Sequence, residues 1–313
     1  MIPKPLKKWL IKIQYIPEKI KLKIYYLASQ GKIPFPDKAF QNMDYKLFNN
    51  GKKINFKNPQ TYNEKLQWLK YYYRDPRLTP LVDKYEVRKY VKEKVGDEIL
   101  VPCLGIYDSW EEIDFESLPD RFVVKCTHDS GSISICRDKK TWDKNEAEKI
   151  IKNGLGRNQF YLSREWPYKN VKPRIIIERY LENEDKSSLI DYKFYCFDGE
   201  PVIVDVLTGK NREEGVRENF YDMNWNLYEV TQGHPNTDYD LPKPFNYEKM
   251  IEYAKILSKG FPHIRVDFIE ENDKLFFTEL TFFSAGGRIP LEPESFDEWL
   301  GGFIKLPDKI RNK

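Results

Sequence analysis

The chain has 313 residues, of which 15% are aromatic and 40% hydrophobic, a composition that excludes an intrinsically disordered protein. Lysine and arginine total 52 and aspartate and glutamate 49, so the net charge of +3 excludes nucleic-acid binding by bulk electrostatics. No run of about 18 apolar residues exists, and lysines interrupt the first apolar stretch, so we expect no transmembrane helix and no signal peptide. The four cysteines and three histidines lack zinc-site spacing. These features predict a reduced, cytoplasmic protein.

The first 32 residues have the pattern of a basic amphipathic helix. Apolar side chains recur at near-helical spacing from Leu6 to Leu27, lysines fill many of the other positions, and Pro17 is expected to divide the segment into two helices. Two interpretations remain open. The apolar stripe packs on its own domain, or it lies, with Trp9, on the anionic inner face of a membrane.

Helical patterns precede strand patterns along the chain. Thr61 and Glu64 have capping-box spacing, which predicts a helix that begins at Thr61. A second helical pattern begins at Leu81 and ends at Gly96. Strand patterns follow, interrupted by expected helices at about 141–153 and 246–259. Helices followed by antiparallel strands predict the α+β fold class.

The stretch RVDFIEENDKLFFTELTFFSAGG, residues 265–287, predicts a hairpin with a polar turn. If the turn centres on Asn272 and Asp273, Asp267 and Glu279 lie roughly opposite each other on one face. Two facing carboxylates repel each other. The hairpin therefore either carries solvated charge on a polar face or binds a divalent cation, for which Mg²⁺ is the first candidate.

The stretch RFVVKCTHDSGSISIC, residues 121–136, places Lys125 at the end of a predicted strand. A polar loop from His128 to Ser132 and a second strand follow. This lysine is either an ordinary surface residue of a hairpin or a phosphate-binding residue, because backbone amides and hydroxyls of such a loop supply further donors.

Two further strands carry polar residues at informative positions. The stretch IIIERYL ends its strand with Glu178 and Leu181, and the stretch DYKFYCFDGEP places Asp191 and Lys193 on one face of the next strand. The letters FDGEP predict a tight turn.

In their order along the chain, these motifs resemble those of the ATP-grasp fold. Asp83-Lys84 resembles the DK motif whose lysine contacts ATP phosphate, and Lys125 resembles the second phosphate-binding lysine, which precedes a loop over the phosphates. The stretch from Glu178 to Leu181 is similar to the hinge that grips adenine. The ATP-binding residues that this resemblance implies are Lys84, Lys125, His128, Ser130, Gly131, Ser132, Glu178, Leu181, Glu184, Asp191 and Lys193.

The hairpin resembles the R-x-D…E-x-N pattern of carboxylate ligases such as D-alanine–D-alanine ligase. By this resemblance Asp267, Glu279 and Thr281 are Mg²⁺ ligands, and Arg265 and Lys125 are catalytic. Threonine replaces the usual asparagine at position 281, which leaves the number of metal ions open.

A closer resemblance, to the TupA-like ATP-grasp family, covers residues from about 45 to 305. It is carried by the stretches NPQTYNEKLQWLKYYYRDP, DKYEVRKYV, LPDRFVVKCTHDSG, REWPYKNVKPRIIIERYL, DYKFYCFDGEP and RVDF…FTELTFFSAGG. The family implies ATP-dependent amide formation between a sugar carboxylate and an amine or amino acid in bacterial capsule, teichuronopeptide or O-antigen synthesis. It implies four parts: a helical region (1–80), a pre-grasp segment (81–120), the lid subdomain (121–182) and a C-terminal subdomain with the metal site (183–313).

The carboxylate would belong to a saccharide or a nucleotide sugar, and its cationic contacts would be Arg212, Arg217 and Arg288. Three alternatives stay open. The first is an ATP-grasp kinase that phosphorylates a saccharide hydroxyl. The second is a non-catalytic scaffold that docks on the capsule machinery through residues 1–32. The third is a glycosyltransferase that uses Asp267 as its metal-binding acid.

Overall fold

The computed structural model describes residues 18–209 and 215–310. Within these residues, five helices precede the first strand: α1 (Glu18–Ser29), α2 (Asp37–Phe48), α3 (Tyr62–Tyr72), α4 (Leu78–Val82) and α5 (Val87–Val95). The first predicted helix and Pro17 lie outside the described residues.

The chain then forms a four-stranded antiparallel sheet. Its strands are β1 (Cys103–Tyr107), β2 (Phe122–Cys126), β3 (Ile133–Cys136) and β4 (Ile175–Arg179), in the order β1-β4-β2-β3. Helices α6 (Lys144–Leu155) and α7 (Gln159–Ser163) lie between β3 and β4 in sequence. The core of this layer forms where Phe122 and Ile177 of the sheet meet Ile151 of α6.

A larger antiparallel sheet follows. It contains β5 (Asp191–Phe197), β6 (Glu200–Thr208), β7 (Arg217–Asp222), β8 (Leu227–Tyr228), β9 (Ile264–Glu271) and β10 (Lys274–Thr281), in the order β10-β9-β5-β6-β7-β8. Helix α8 (Tyr247–Ser258) packs on it, and α9 (Glu294–Gly302) packs on α3. Helices combined with two antiparallel sheets confirm the predicted α+β class.

The helix starting at Thr61 is confirmed, with local chemistry that explains it. Thr61 Oγ1 accepts a hydrogen bond from the Glu64 amide over 3.2 Å, as an N-cap residue does. The Glu64 carboxylate reaches back to the amides of Asn55 and Gln60, over 2.8 and 3.0 Å. The loop before α3 is thereby fixed to the first turn of the helix.

The single helix predicted from Leu81 to Gly96 is wrong, because Asp83 divides it. The carboxylate of Asp83 accepts hydrogen bonds from the amides of Tyr85 and Glu86, over 2.8 and 2.9 Å. An aspartate that binds nearby amides in this way ends one helix and starts the next. Lys84 consequently lies in the junction between α4 and α5.

Helix α1 packs on one side only. Ala28 is fully buried, and Ile24 and Tyr25 pack against Phe40 of α2. The side chains that remain exposed on α1 include Ile20 (50% exposed), Leu22 (49%) and Tyr26 (58%). In the described part of the chain, none of the helices has the length and apolar character needed to cross a membrane.

Candidate active site between the two sheets

The β9–β10 hairpin brings Asp267 and Glu279 together, as the sequence predicts. The turn residues Asn272 and Asp273 both have positive φ angles, 49° and 60°. Pairing is shifted by one residue between Phe277 and Glu279, and this bulge aligns Glu279 with Asp267. Residues that pair directly share one face of a sheet, so the bulge sets both carboxylates on the same face.

Arg265 lies between the two carboxylates. Its Nε and Nη2 donate to Oδ1 and Oδ2 of Asp267 over 2.7 and 2.6 Å, which is a bidentate pair. Nη2 also lies 3.3 Å from Glu279 Oε1 and 3.1 Å from Thr281 Oγ1. The repulsion between the acids is thus offset by an arginine of the same hairpin.

The two carboxylates differ in their electrostatic surroundings. Burial raises the pKa of Asp267 to about 6, although Arg265 opposes this shift. Burial also tends to raise the pKa of Glu279, but the cations around it reverse the shift and hold that pKa below its ordinary value. The cations, in order of decreasing effect, are Lys84, Arg265, Lys193 and Lys125. Glu279 is therefore ionised at neutral pH in a strongly cationic environment.

The donor set fits Mg²⁺ held by few protein ligands. Mg²⁺ is commonly bound through one or two carboxylates plus phosphate and water oxygens. Asp267 and Glu279 supply two such carboxylates, and the Glu279 side chain is 42% exposed and accessible to an incoming cation. In residues 18–209 and 215–310, no group of three or more histidine, cysteine or acidic residues has a geometry that could hold a metal ion without other ligands.

Lys125 and Glu178 form an ion pair on the smaller sheet. Lys125 Nζ lies 2.6 Å from Glu178 Oε2, and Arg88 Nη1 lies 3.5 Å from Oε1 of the same carboxylate. Lys84 Nζ donates to the Asp129 carbonyl oxygen over 2.5 Å, and burial lowers its pKa. Lys84 and Lys125 both act electrostatically on Glu279, so the two sheets contribute charges to one site.

A cleft of about 480 Å³ lies beside these charges, with residues of both sheets in its walls. Apolar side chains from both sheets line it, among them Val123 and Ile135 from the smaller sheet and Ile269 and Phe277 from the larger. Lys125, Glu178, Leu181 and Asp191 also line it. Charged side chains, seven among the lining residues, are as prominent in this cleft as the apolar walls, so it can hold a ligand that has both apolar and charged parts.

The TupA-like ATP-grasp family model matches residues 64–305, which is most of the chain. This chain belongs to the TupA-like ATP-grasp family. No curated protein matches it. The similar solved structures include D-alanine–D-alanine ligase from Bacillus anthracis complexed with ATP (16% identity, 64% of this chain, 55% of that chain, TM-score 0.39). The Helicobacter pylori D-alanine–D-alanine ligase is 12% identical over 78% of this chain and 69% of that chain, with a TM-score of 0.42.

A third similar structure is the ATP-grasp ligase PsnB complexed with a phosphomimetic variant of its minimal precursor, Mg and ADP. It is 12% identical, the match covers 77% of this chain and 66% of that chain, and the TM-score is 0.41. This TupA-like chain spans only 55% of the length of the Bacillus anthracis ligase.

The loop after β2 contributes less to the TupA-like site than the sequence predicts. The His128 ring is 2% exposed, with Nε2 lying 3.2 Å from the carbonyl oxygens of Gly154 and Arg157. Ser132 Oγ donates to Asp129 and accepts from Arg157 Nη2. The side chains of His128 and Ser132 therefore stabilise the loop itself. Exposed positions in this loop are Ser130 and Gly131, which has φ +95°.

Two other predicted nucleotide contacts lie apart from the cleft lining. The Glu184 side chain is exposed, and its amide donates to Asn272 Oδ1 over 2.8 Å, so Asp191 is the better placed acid for a ribose. Lys193 pairs with Asp267 across the β5–β9 ladder, and its Nζ lies 3.4 Å from Asp205 Oδ2. Lys193 thus belongs to the carboxylate end of the site.

The structure describes two of the three predicted substrate arginines, Arg217 and Arg288. Arg217 of β7 pairs with Thr208 of β6. Asp205, which is also on β6 and lies three residues before Thr208, pairs with Lys193 of β5. Because residues three apart on a strand face opposite sides, Arg217 lies on the sheet face opposite Lys193. Arg288 Nη1 lies 3.0 Å from Asp44 Oδ1, which ties the chain after β10 to α2. Arg212 lies outside the described residues.

Two contacts of Arg265 were not predicted from the sequence. Arg265 Nη1 donates to Ser284 Oγ over 2.8 Å, and Ser284 Oγ lies 2.9 Å from the hydroxyl of Tyr195. Tyr195 pairs with Arg265 across the β5–β9 ladder. Tyr195 could have been predicted as a neighbour of the site, because it follows Lys193 by two residues and residues two apart on a strand share one face.

Proposed function

We propose that this protein is an ATP-dependent ligase that joins a carboxylate to an amine through an acylphosphate. The carboxylate would be a uronic acid of a saccharide or nucleotide sugar used in bacterial surface-polysaccharide synthesis, and the amine would come from an amino acid or another amine. The observation that carries the proposal is the contact of Arg265 with both Asp267 and Glu279, beside a cleft edged by Lys125. Membership of the TupA-like family supports the same chemistry.

The proposed reaction has two steps. A carboxylate oxygen of the first substrate attacks the γ-phosphorus of ATP, the bond to the bridging oxygen breaks, and ADP leaves. The amine nitrogen then attacks the acyl carbon, loses a proton and displaces phosphate, which forms the C–N bond. Phosphoryl transfer of this kind depends mainly on positioning and charge neutralisation.

The residues of the chain would divide these tasks by their positions. Lys84 and Lys125 would bind the phosphates, because both ammonium groups act on the site that holds Glu279. Arg265 is fixed by its bidentate pair with Asp267, so its charge is already oriented where negative charge develops. Asp267 and Glu279 would hold Mg²⁺, with Thr281 beside them. Bound Mg²⁺ would neutralise phosphate charge.

Thermal unfolding with nucleotides tests the binding half of the proposal. A ligand present at about 100 times its dissociation constant stabilises the folded protein by roughly 2.7 kcal/mol. A non-hydrolysable ATP analogue with Mg²⁺ should therefore raise the melting temperature of the protein. We expect Glu279→Gln to remove the Mg²⁺-dependent part of this rise. A rise with UDP or UDP-glucuronate alone would favour a glycosyltransferase, and no response to any nucleotide would favour a scaffold.

Hydroxylamine trapping tests the chemical half. Hydroxylamine converts an acylphosphate to a hydroxamate, whereas a phosphorylated hydroxyl does not react with it. With ATP, Mg²⁺ and a panel of uronic acids, we expect ADP release and a hydroxamate before any amine is added. ADP release with a phosphorylated sugar and no hydroxamate would identify a kinase instead.

We also propose that residues 1–32 bring the protein to the inner face of an anionic membrane. Leu22 and Tyr26, four residues apart, are exposed on one face of α1, and the same helix carries Lys19, Lys21 and Lys23, a combination that suits an interfacial helix. Vesicles that contain phosphatidylglycerol should sediment the full chain but not a chain lacking residues 1–32. Equal sedimentation of both proteins would reject this location and leave packing on a partner protein as the alternative.

A further inference from the structure

A second concavity, with a volume of about 630 Å³, shares no lining residue with the cleft between the sheets. It lies between the loop before α3, helix α3 itself and the segment that follows α9. We call it the lysine groove, after the four lysines in its walls. The side chains that matter are Lys38, Lys57, Lys65 and Lys309, together with Phe56 and Trp68.

The lysine groove segregates positive charge. The whole chain has nearly equal numbers of basic and acidic residues, 52 and 49, yet the lining of the groove contains no aspartate or glutamate in the part of the chain that the structure describes. Within those residues its four lysines form no ion pair within 4.0 Å, although pairs are frequent elsewhere on the surface. Like charges that share a concavity repel one another, and a bound anion relieves that repulsion.

Aromatic rings hold two of these ammonium groups in place. Lys38 Nζ lies 4.6 Å from the centroid of the Phe56 ring and donates to the Tyr72 hydroxyl over 3.4 Å. Lys309 Nζ lies 4.4 Å from the centroid of the Tyr72 ring. A cation–π contact orients an ammonium group without neutralising its charge. These lysines therefore retain their attraction for an anion.

The other two lysines differ in accessibility. Lys65 Nζ donates to the carbonyl oxygens of Gly301 and Ile304, over 2.8 and 3.0 Å, and this fixes the end of α9 against α3. Lys57 is exposed, as is Lys309. Lys57 and Lys309 are consequently the two positions where a ligand carboxylate could pair without breaking a described hydrogen bond of a groove lysine.

We propose that the lysine groove is a second binding site, which binds an acidic saccharide. Its carboxylates would pair with Lys57 and Lys309, above a floor formed by the buried side chains of Phe56 and Trp68. Asn58 and Gln60, whose side chains also line the groove, offer amide groups to sugar hydroxyls.

This proposal is independent of the proposed ligase activity, because it concerns different residues. Its test is the binding of oligogalacturonate to the full chain, measured by titration calorimetry and by the change in tryptophan emission. The groove variant is Lys57→Glu with Lys309→Glu. The control variant is Lys140→Glu with Lys249→Glu, which changes the net charge equally at two exposed lysines outside the groove.

We expect oligogalacturonate to bind the original chain and the control variant alike, and the groove variant about tenfold more weakly or worse. A neutral galacto-oligosaccharide of the same length should not bind. Equal weakening in both variants, or no weakening in the groove variant, would overturn the proposal. So would a groove-dependent attachment to phosphatidylglycerol vesicles without oligogalacturonate binding, because that would identify an anionic lipid surface.

Two measurements show whether the groove variant is folded and whether its nucleotide site is intact. The melting temperature of the groove variant should match that of the control variant, because neither pair of substitutions removes a described internal hydrogen bond. The stabilisation by an ATP analogue should persist in the groove variant. If the original chain does not respond to nucleotide but binds oligogalacturonate through the groove, the ligase proposal fails while this one stands.

Discussion

Arg265 and Asp267, two residues apart on β9, form a buried bidentate ion pair of 2.7 and 2.6 Å. Arg265 is 8% exposed and Asp267 is 3% exposed, so neither charge is well solvated if the other is removed. A buried pair is costly to break on one side, by about 3–5 kcal/mol, because an unpaired charge then remains. The pair is thus a structural unit as well as the centre of the proposed catalytic site.

We predict that the fork geometry of Arg265 matters more than its charge. Arg265→Lys keeps a positive charge but cannot make two parallel hydrogen bonds to Asp267. It should lower the rate of ADP release by about 10²–10³ while leaving the stabilisation by Mg²⁺ and an ATP analogue in place. A variant with nearly unchanged turnover would show that the bidentate geometry is not used in the transition state.

Unfolding in urea separates the structural role of this pair. Arg265→Ala should destabilise the protein by about 3–5 kcal/mol, and adding Asp267→Asn should restore part of that loss, since the unpaired buried charge is removed. If the two substitutions destabilise additively, the buried charge is solvated by other means, and the ion pair does not act as a unit.

Gly287 tests how closely the segment after β10 packs against helix α3. Its φ is +62°, and a Cβ atom would lie 2.8 Å from Leu66 Cβ on α3. Gly51 has φ +79° with no atom within 4 Å of its Cβ position. Gly51→Ala should therefore lower the free energy of unfolding by about 1 kcal/mol, because alanine is strained at a positive φ. Gly287→Ala should lower it by about 1–3 kcal/mol more, because the added methyl group also collides with Leu66. Equal losses in urea unfolding would mean that α3 moves aside without strain.

The fold and the hairpin could be predicted because they depend on local patterns. Alternating apolar residues fix strands, and a polar turn at Asn272 and Asp273 fixes which residues oppose each other. The helical pattern from Leu81 to Gly96 did not predict the break at Asp83. The carboxylate of Asp83 is held in place in part by a hydrogen bond from Thr127, which lies 44 residues away in the sequence. Sequence spacing alone does not show such a tertiary contact.

The surroundings of two predicted site residues, Arg217 and His128, also depend on contacts between residues far apart in the sequence. The face occupied by Arg217 depends on its partner Thr208, so it follows from the register of β6 and β7, which the sequence does not display. His128 is polar and sits in a polar loop, but its ring is buried against two carbonyl groups, that of Gly154 in the last turn of α6 and that of Arg157 just after it. The division of the chain at residues 80, 120 and 182 stays a prediction.

The dependence of stability on pH should show the buried carboxylate of Asp297. Burial raises its pKa to about 6, although it accepts hydrogen bonds from the backbone and side-chain nitrogens of Asn63. In the unfolded chain an aspartate ionises near pH 4, at about 3.9. Between these values the folded protein binds more protons, so this residue's contribution to the free energy of unfolding falls as pH rises from about 4 to 6.

Asp297→Asn removes this titration while keeping an oxygen that accepts from the Asn63 amide. The free energy of unfolding of the variant, minus that of the original chain, should therefore rise between pH 4 and pH 7 by about 2 kcal/mol, at 1.36 kcal/mol per pKa unit. Urea unfolding at several pH values measures the difference. A flat or falling difference would mean that Asp297 is ionised in the folded protein at pH 4.

The last prediction concerns Ser284, which positions Arg265 from the side opposite Asp267. Ser284 Oγ accepts from Arg265 Nη1 over 2.8 Å, and the Tyr195 hydroxyl in turn donates to Gln232 Oε1 over 3.3 Å. Ser284→Ala leaves Nη1 without this acceptor, which should cost about 1–3 kcal/mol of stability. It should also lower kcat about tenfold with little change in KM for ATP, because the arginine loses orientation and nucleotide binding does not involve this hydroxyl.

Ser258→Ala is the matched control for Ser284→Ala. Ser258 is fully buried and donates to the Lys255 carbonyl oxygen within α8, so its loss should reduce stability without changing kcat. Tyr195→Phe keeps the direct contact between Ser284 and Arg265 and should have a smaller effect on kcat than Ser284→Ala. If Ser284→Ala lowers stability but leaves kcat at the level of Ser258→Ala, Ser284 has only a structural role, and Asp267 alone orients Arg265.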